Sequence, residues 1–326
     1  MTGHLADPRV WLAAQTQQAA ALVGAARDMG RLEATLTAMP AAEAEGARQR
    51  LALLEVEAML RAQGVMLGPD EISRDLMEAR ANSDPEALRL ARWAIRRLEG
   101  QGSPMDLPAF LGLHRRASHD NEPATGLDLR PQGAEFDAAA AGFLDAIENL
   151  AGLYPLARGP AILALWRMAE LSPPGQMVEA AVWSARHMAV GAEALRFLPL
   201  GRQGRRIWTG FGPPEDRLTA HLAALRTGAQ EARALIMHIQ AWARHARAAT
   251  ATIKGDNAAR VIAVLAARPL VSAMDTEALA KVSRPTAERM LKRLTDLGLI
   301  REVTGHRRFR LWAIATGNIA DLGVGV

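Results

Sequence analysis

The chain has 326 residues, 49% of them hydrophobic and only 4% aromatic, with no cysteine and a formal net charge of +4. That length has room for two or three domains, each with its own core, and the lack of cysteine excludes disulfides, thiol nucleophiles, iron–sulfur clusters and cysteine-type zinc sites. Ala, Leu and Arg abound while Phe and Tyr are sparse, a bias that favours helices over sheets.

The N-terminal stretch carries an early acid, Asp7, and several glutamines, where a signal peptide needs a basic start and an unbroken apolar run. No segment reaches the uninterrupted apolar length of a membrane span. A soluble, cytoplasmic protein is expected. Residues 1–100 read as an N-terminal helical region. Leu32 to Met39 stops at Pro40, and Ala41 to Gln63 places Leu51, Leu54, Ala58 and Leu60 near one apolar stripe before ending at Gly64. Another helix begins at Pro69-Asp70-Glu71. Ser83-Asp84-Pro85-Glu86 predicts one running to about Leu98, with proline early and acids facing the positive helix end.

Residues 101–134 mix Gly, Pro, Ser and both charge signs without a sustained period, as a linker or irregular loop does. A central helical domain of unknown function is expected over 135–253. Its helical patterns cover Glu135 to Leu153, Gly159 to Glu170, Gln176 to Leu195 and Leu218 to Thr250, the last as one long helix or a broken pair. The Gly159 pattern is apolar nearly all round and so predicts a buried helix. Trp166, Trp183 and Trp242 read as core residues.

Within this domain Gly201 to Arg206 combines glycine amides with Arg202, Arg205 and Arg206, which suits contact with a phosphate. The loop lacks the Gly-Lys-Ser/Thr end of a Walker motif, and a plain basic surface loop or a nonspecific DNA contact fits the same residues. Glu55 and Glu57, two apart, lie about 200° round a helix and do not make a catalytic carboxylate pair. His114 and His119 near Asp120 and Glu122 lack a zinc spacing, and His238 and His245 have no carboxylate partner. With no Ser-His-Asp arrangement either, no catalytic residue, metal or cofactor is assigned.

The C-terminal region, 254–316 with a tail at 317–326, is the most specific. From Asp256 to Ile314 eleven basic residues face six acidic ones, a net of +5 that leaves the rest of the chain near neutral. Asp256 or Asn257 can cap a helix through Arg268, with Ala258, Val261, Ile262 and Leu265 on one face, and Pro269 stops it. Asp275 or Thr276 can cap a second short helix ending near Lys281, and Ser283 a third whose first turn contains Pro285. In the third, Ala287, Met290, Leu291, Leu294 and Leu297 form the apolar stripe, which leaves Arg284, Thr286, Arg289, Lys292 and Arg293 opposite. Gly298 is the expected C′ residue. A hairpin follows, with Leu299 to Val303 and Arg308 to Ile314 as strands and Thr304 to Arg307 as its loop.

Helix, helix, turn, helix and hairpin is the winged helix-turn-helix plan. The fold class expected is therefore mainly α: a multi-helix N-terminal and central body followed by a C-terminal winged helix-turn-helix of three helices plus a β-hairpin. Arginine or lysine on such a third helix can donate to guanine edges in the major groove, and wing arginines can clamp phosphate or enter the minor groove. The DNA-facing set is Ser283, Arg284, Thr286, Arg289, Lys292 and Arg293, with His306, Arg307, Arg308 and Arg310 in the wing.

Arg301-Glu302-Val303-Thr304-Gly305 and Arg308-Phe309-Arg310-Leu311-Trp312-Ala313-Ile314 resemble the C-terminal helix-turn-helix domain of an uncharacterised alphaproteobacterial family, often borne on rhizobial plasmids. LALLEVEAML, LARGPAILALWRMAEL and ALRFLPLGRQGRR are similar to its upstream helical domain of unknown function. The resemblance runs from about Leu51 to Ile314 and implies a DNA-binding regulator. His306-Arg307 departs from the more glycine-rich turn expected in the wing. A weaker likeness is to Fic-type AMP-transferases, which also set a helical body before a winged helix. Their motif has a histidine and an asparagine that Phe197 to Arg206 lacks, and without the base nucleotidyl transfer has no driver.

The expected function is thus a non-enzymatic, sequence-specific binder of double-stranded DNA, a transcriptional regulator associated with the nucleoid, with homodimerisation as one option and no effector specified. A divergent Fic-related enzyme and a protein-interacting winged helix are the alternatives.

Overall fold

Alanine- and leucine-rich runs punctuated by proline and glycine become a succession of helices. The computed structural model describes residues 3–78, 84–113, 130–304 and 310–315. In chain order these carry α1 (Pro8–Gln17), α2 (Ala19–Thr37), α3 (Ala41–Ala62), α4 (Pro69–Leu76), α5 (Pro85–Leu98), α6 (Leu107–Leu111), α7 (Ala134–Glu148), α8 (Gly159–Met168), α9 (Val178–Met188), α10 (Gly204–Thr209) and α11 (Pro214–Ala249). Then come α12 (Asn257–Ala267), β1 (Val271–Ser272), α13 (Ala273–Ala280), α14 (Arg284–Asp296), β2 (Ile300–Glu302) and β3 (Leu311–Ile314). The protein is mainly helical. None of the described helices is long and apolar enough to cross a membrane.

The proline signals act as local chemistry requires. Asp7, Asp84 and Asp106 each accept a backbone N–H at the start of α1, α5 and α6, with proline in the first turn of each helix, so orphan amides are met where proline's missing N–H costs nothing. The pattern from Leu218 to Thr250 resolves into one unbroken helix, α11.

The backbone divides into two units. The first takes Met1–Ala38, Leu51–Gly68 and Ser83–Arg233, and the second takes Met39–Arg50, Pro69–Asn82 and Ala234–Val326. In the first, α8 is buried along its whole apolar length from Gly159 to Trp166, as its all-round hydrophobicity predicts. Trp166 and Trp183 meet Phe143 edge-on at ring-centroid distances of 5.3 and 5.0 Å. Each indole N–H is satisfied, by Ser172 Oγ and by the Pro104 carbonyl, both at 2.8 Å, so both rings are buried without an unpaired donor. Leu54, placed on the α3 stripe, is half-buried while Leu53 beside it is buried.

In the second unit the three strands form an antiparallel sheet in the order β1-β3-β2, with Val271 opposite Trp312 and Ile300 opposite Ile314. As the central strand β3 is buried at all four positions, rather than alternating as an exposed hairpin strand does. Leu270, Leu311 and Ala313 cluster, with Val303 packed on them, and Trp242 donates its indole N–H to the Leu299 carbonyl at 2.7 Å. Strand β1 pairs with residues some forty positions away and leaves no periodic trace of its own.

Local details differ from the sequence-based expectation. Ser272, and not Asp275 or Thr276, caps α13: its Oγ accepts from the Asp275 N–H at 3.0 Å while Asp275 accepts from the Ser272 N–H at 2.8 Å. This is a reciprocal capping box. Leu297 lies at the end of α14, 47% exposed, because the chain leaves the helix there. Gly298 follows with φ +68°, the left-handed turn expected of it.

Candidate functional site

In the second unit most of the sequence-predicted contact residues lie on or next to α14. Its inner face is held by buried Ala287, Met290, Leu291 and Leu294, which forces the polar positions outward. Lys281, in left-handed conformation at φ +51°, ends α13, so the turn itself is Lys281 to Ser283 while Arg284, Pro285 and Thr286 already belong to α14. Ser283 occupies the N-cap position, but its hydroxyl donates to Thr286 Oγ1 at 3.0 Å and captures no backbone amide.

Arg284, Arg289, Lys292 and Arg293 are all exposed and Thr286 is half-buried. Their electrostatic surroundings separate them. Arg284 donates to Glu288 at 2.7 Å and Lys292 to Asp296 at 2.8 Å, so residues 284, 288, 292 and 296 form a stripe of alternating sign along the helix. Among the described residues the Arg289 guanidinium reaches only Thr286 Oγ1, at 3.5 Å, and Arg293 meets no carboxylate. The uncompensated positive charge of α14 is therefore Arg289 and Arg293, one turn apart. Of the wing set, exposed Arg310 has its Nε 3.5 Å from Glu302, and His306, Arg307 and Arg308 lie outside the described residues. Arg301, outside the sequence-predicted set, pairs with Asp70 at 2.8 Å.

In the first unit the Gly201 to Arg206 segment forms a short 3-10 turn, Gly201–Gln203, leading into α10. Arg202, Arg205 and Arg206 are exposed. The amides of Leu200 and Gly201 donate to the two carboxylate oxygens of Glu55 at 3.1 and 2.8 Å. A carboxyl group already lies against these amides, and it is the chain's own. Burial pushes the Glu55 carboxyl up to about 7, against the pull of both amides and with the nearby Glu231 charge acting in the same direction as burial. Glu231 is itself raised by burial, opposed by Arg202. A carboxylate inside the apolar run LALLEVEAML is the sequence signal for such a partner, and only its distant position hides which amides it serves. Glu57, by contrast, pairs with Arg61 one turn on, so the two glutamates stay separate.

Beside α10 lies a pocket of about 250 Å³, open to solvent, whose lining includes Arg167, Arg206, Phe211, Asp216 and Arg217. Arg167 donates to the Thr209 carbonyl at 2.6 Å and Arg217 to the Gly212 carbonyl at 2.7 Å. Gly210, at φ +64°, lies under the Arg167 guanidinium so closely that a Cβ there would stand 2.0 Å from its Nη2. Burial, and then the charge of Arg217, holds the Arg167 pKa below its ordinary value. Of the three arginines read as phosphate contacts, Arg206 alone lines this pocket. Arg167 and Arg217 lie thirty-nine and eleven residues from it in sequence and carry no motif that groups them. Among the described residues no group of three or more His, Asp or Glu side chains is placed to hold a metal ion.

No curated protein matches the chain. A crystal structure of a Fic family protein from Desulfovibrio desulfuricans G20 is similar at 16% identity, with 91% of this chain and 97% of that one covered and a TM-score of 0.46. Residues 183–314 match the family model described as a protein of unknown function, DUF1403.

Proposed function

We propose that this chain is a cytoplasmic DNA-binding protein acting as a transcriptional regulator, in which α12 to α14 and the sheet form a winged helix-turn-helix. Helix α14 enters the major groove, with Thr286, Arg289 and Arg293 leading, and the segment around Arg310 touches the backbone or minor groove. The observation that carries this reading is the outer face of α14: Arg289 and Arg293 stand one turn apart, exposed and without a carboxylate partner among the described residues. The net +5 over residues 256–314 and the family resemblance of the last strands support it. A homodimer would set two such helices on paired half-sites.

The test is a salt titration of the full chain on a pool of random-sequence duplexes. Binding weakens steeply with salt because each neutralised phosphate releases counterions, and replacing Arg289 and Arg293 together by Ala lowers the log–log slope by about 2, roughly 0.9 per contact. Wild-type binding that is undetectable, or indifferent to salt, rejects the reading.

A further inference from the structure

The pocket beside α10 has a charge imbalance that its own contacts leave standing. Arg167, Arg206 and Arg217 line it against one carboxylate, Asp216, a net of +2. Arg167 and Arg217 spend their hydrogen bonds on the carbonyls of Leu163, Thr209 and Gly212, which fixes the guanidinium groups without neutralising them. Arg206 is exposed, and its guanidinium has neither hydrogen bond nor ion pair among the described residues. Like charges held together by carbonyl anchors are poised for an anion, since guanidinium groups bind phosphate oxygens in pairs.

The rest of the lining narrows the ligand. Phe211 is 84% exposed, on a loop bracketed by Gly210 and Gly212, both in left-handed conformation at φ +64° and +93°. An aromatic ring offered to solvent beside arginines is a face for a flat group. Pro160, Ile207 and Ala220 add an apolar floor. At about 250 Å³ the pocket is smaller than most drug-sized sites, so the ligand is small.

We propose that this pocket binds a small phosphate monoester, its dianionic head among Arg167, Arg206 and Arg217 and its flat organic part against Phe211. The net +2 matches the charge of about −1.5 to −2 on a phosphate monoester at neutral pH. The amides of Leu200 and Gly201 take no part, since Glu55 holds them.

Calorimetric titration of the full chain with phenyl phosphate and with glycerol 2-phosphate tests this. One-to-one saturable binding of phenyl phosphate is expected, weakened at least about tenfold by Arg206→Ala, the loss of a charge-assisted contact. Arg205→Ala, on the same helix but outside the lining, leaves it within about twofold. Phe211→Ala weakens phenyl phosphate while leaving glycerol 2-phosphate unchanged, and lowering the pH below about 6, where the head becomes a monoanion, weakens both. Circular dichroism confirms that each variant is folded. Lack of saturation below about 10 mM, or equal losses in Arg205→Ala and Arg206→Ala, which mark diffuse charge attraction, overturns the proposal.

Discussion

The ammonium of Lys292 donates to the carboxylate of Asp296 at 2.8 Å, one turn along α14. Arg284 and Glu288 repeat the arrangement at the helix start, so four of the charges on this helix cancel in place. Basic residues counted along a sequence overstate the field a partner meets. What matters is which cations keep their charge, and on α14 those are Arg289 and Arg293.

Removing the acids should therefore strengthen DNA binding. Glu288→Gln with Asp296→Asn frees Lys292 and leaves Arg284 with the longer, 4.0 Å pair to Glu277, so both cations turn more readily to the duplex. The salt slope steepens by about 2 and affinity rises severalfold at low ionic strength. Folding stability changes by less than about 1 kcal/mol, because both pairs are exposed. Anisotropy titrations with urea melts of the same samples check this, and unchanged affinity would place α14 away from the nucleic acid.

Glu55 makes stability depend on pH with an unusual sign. Its carboxyl sits at about 7 in the folded chain against an ordinary 4.5. Between those values the unfolded chain releases the proton while the folded chain keeps it, so stability falls as pH rises from about 4.5 to 7 and levels off above. Urea midpoints of wild type and Glu55→Gln across pH 5 to 8 should diverge over that window, by roughly 3 kcal/mol at most. Arg202 and Glu231 are common to both proteins, so the difference reads Glu55 together with its coupling to Glu231. Parallel curves would show that the carboxylate is ionised throughout.

Gly159 is a contact point where no side chain fits. A Cβ there would stand 2.4 Å from Cε1 of His221 and 2.9 Å from Sδ of Met188, and His221 is anchored by its Nε2–H to the Leu156 carbonyl at 2.9 Å. Gly159→Ala is expected to cost about 1–3 kcal/mol through overpacking. In a His221→Ala background the same change costs less, and a double-mutant cycle by urea unfolding measures the coupling. Full additivity would mean that the two residues do not touch.

Arg50 closes the end of α12. Its buried guanidinium donates to the carbonyls of Leu265 and Ala266 at 2.8 Å and also to that of Arg268, which serves orphan acceptors at the negative end of the helix. Burial lowers its pKa to about 10, still fully charged near neutrality. Arg50→Met should cost about 3 kcal/mol or more by leaving buried carbonyls unpaired. Arg50→Lys should recover only part, since one ammonium does not span three acceptors. A thermal melt with an unchanged midpoint would contradict this.

Elements whose information lies within a few turns were legible. The stripe of α12, that of α14 apart from Leu297, Pro285 in the first turn of α14 and the left-handed Gly298 appear as expected. The Ser272-x-x-Asp275 capping box is equally local, but Asp275 and Thr276 are themselves good N-cap types, which sets the expected cap three or four residues late. The pairs Arg284–Glu288 and Lys292–Asp296 were also there to be read at i, i+4 spacing.

By itself the sequence determined the helical character of the chain, its breaks at proline and glycine and the amphipathic face of α14, because these follow from hydrogen bonding and burial within 3.6-residue turns. Tertiary structure alone decided that β1 completes a sheet around β3, that Glu55 takes the amides beside Gly201, that Arg50 caps α12 and that Arg167 and Arg217 join Arg206 around one pocket. Each of these brings together groups separated by tens to hundreds of residues. Their meeting is set by how helices pack, and no local pattern encodes that.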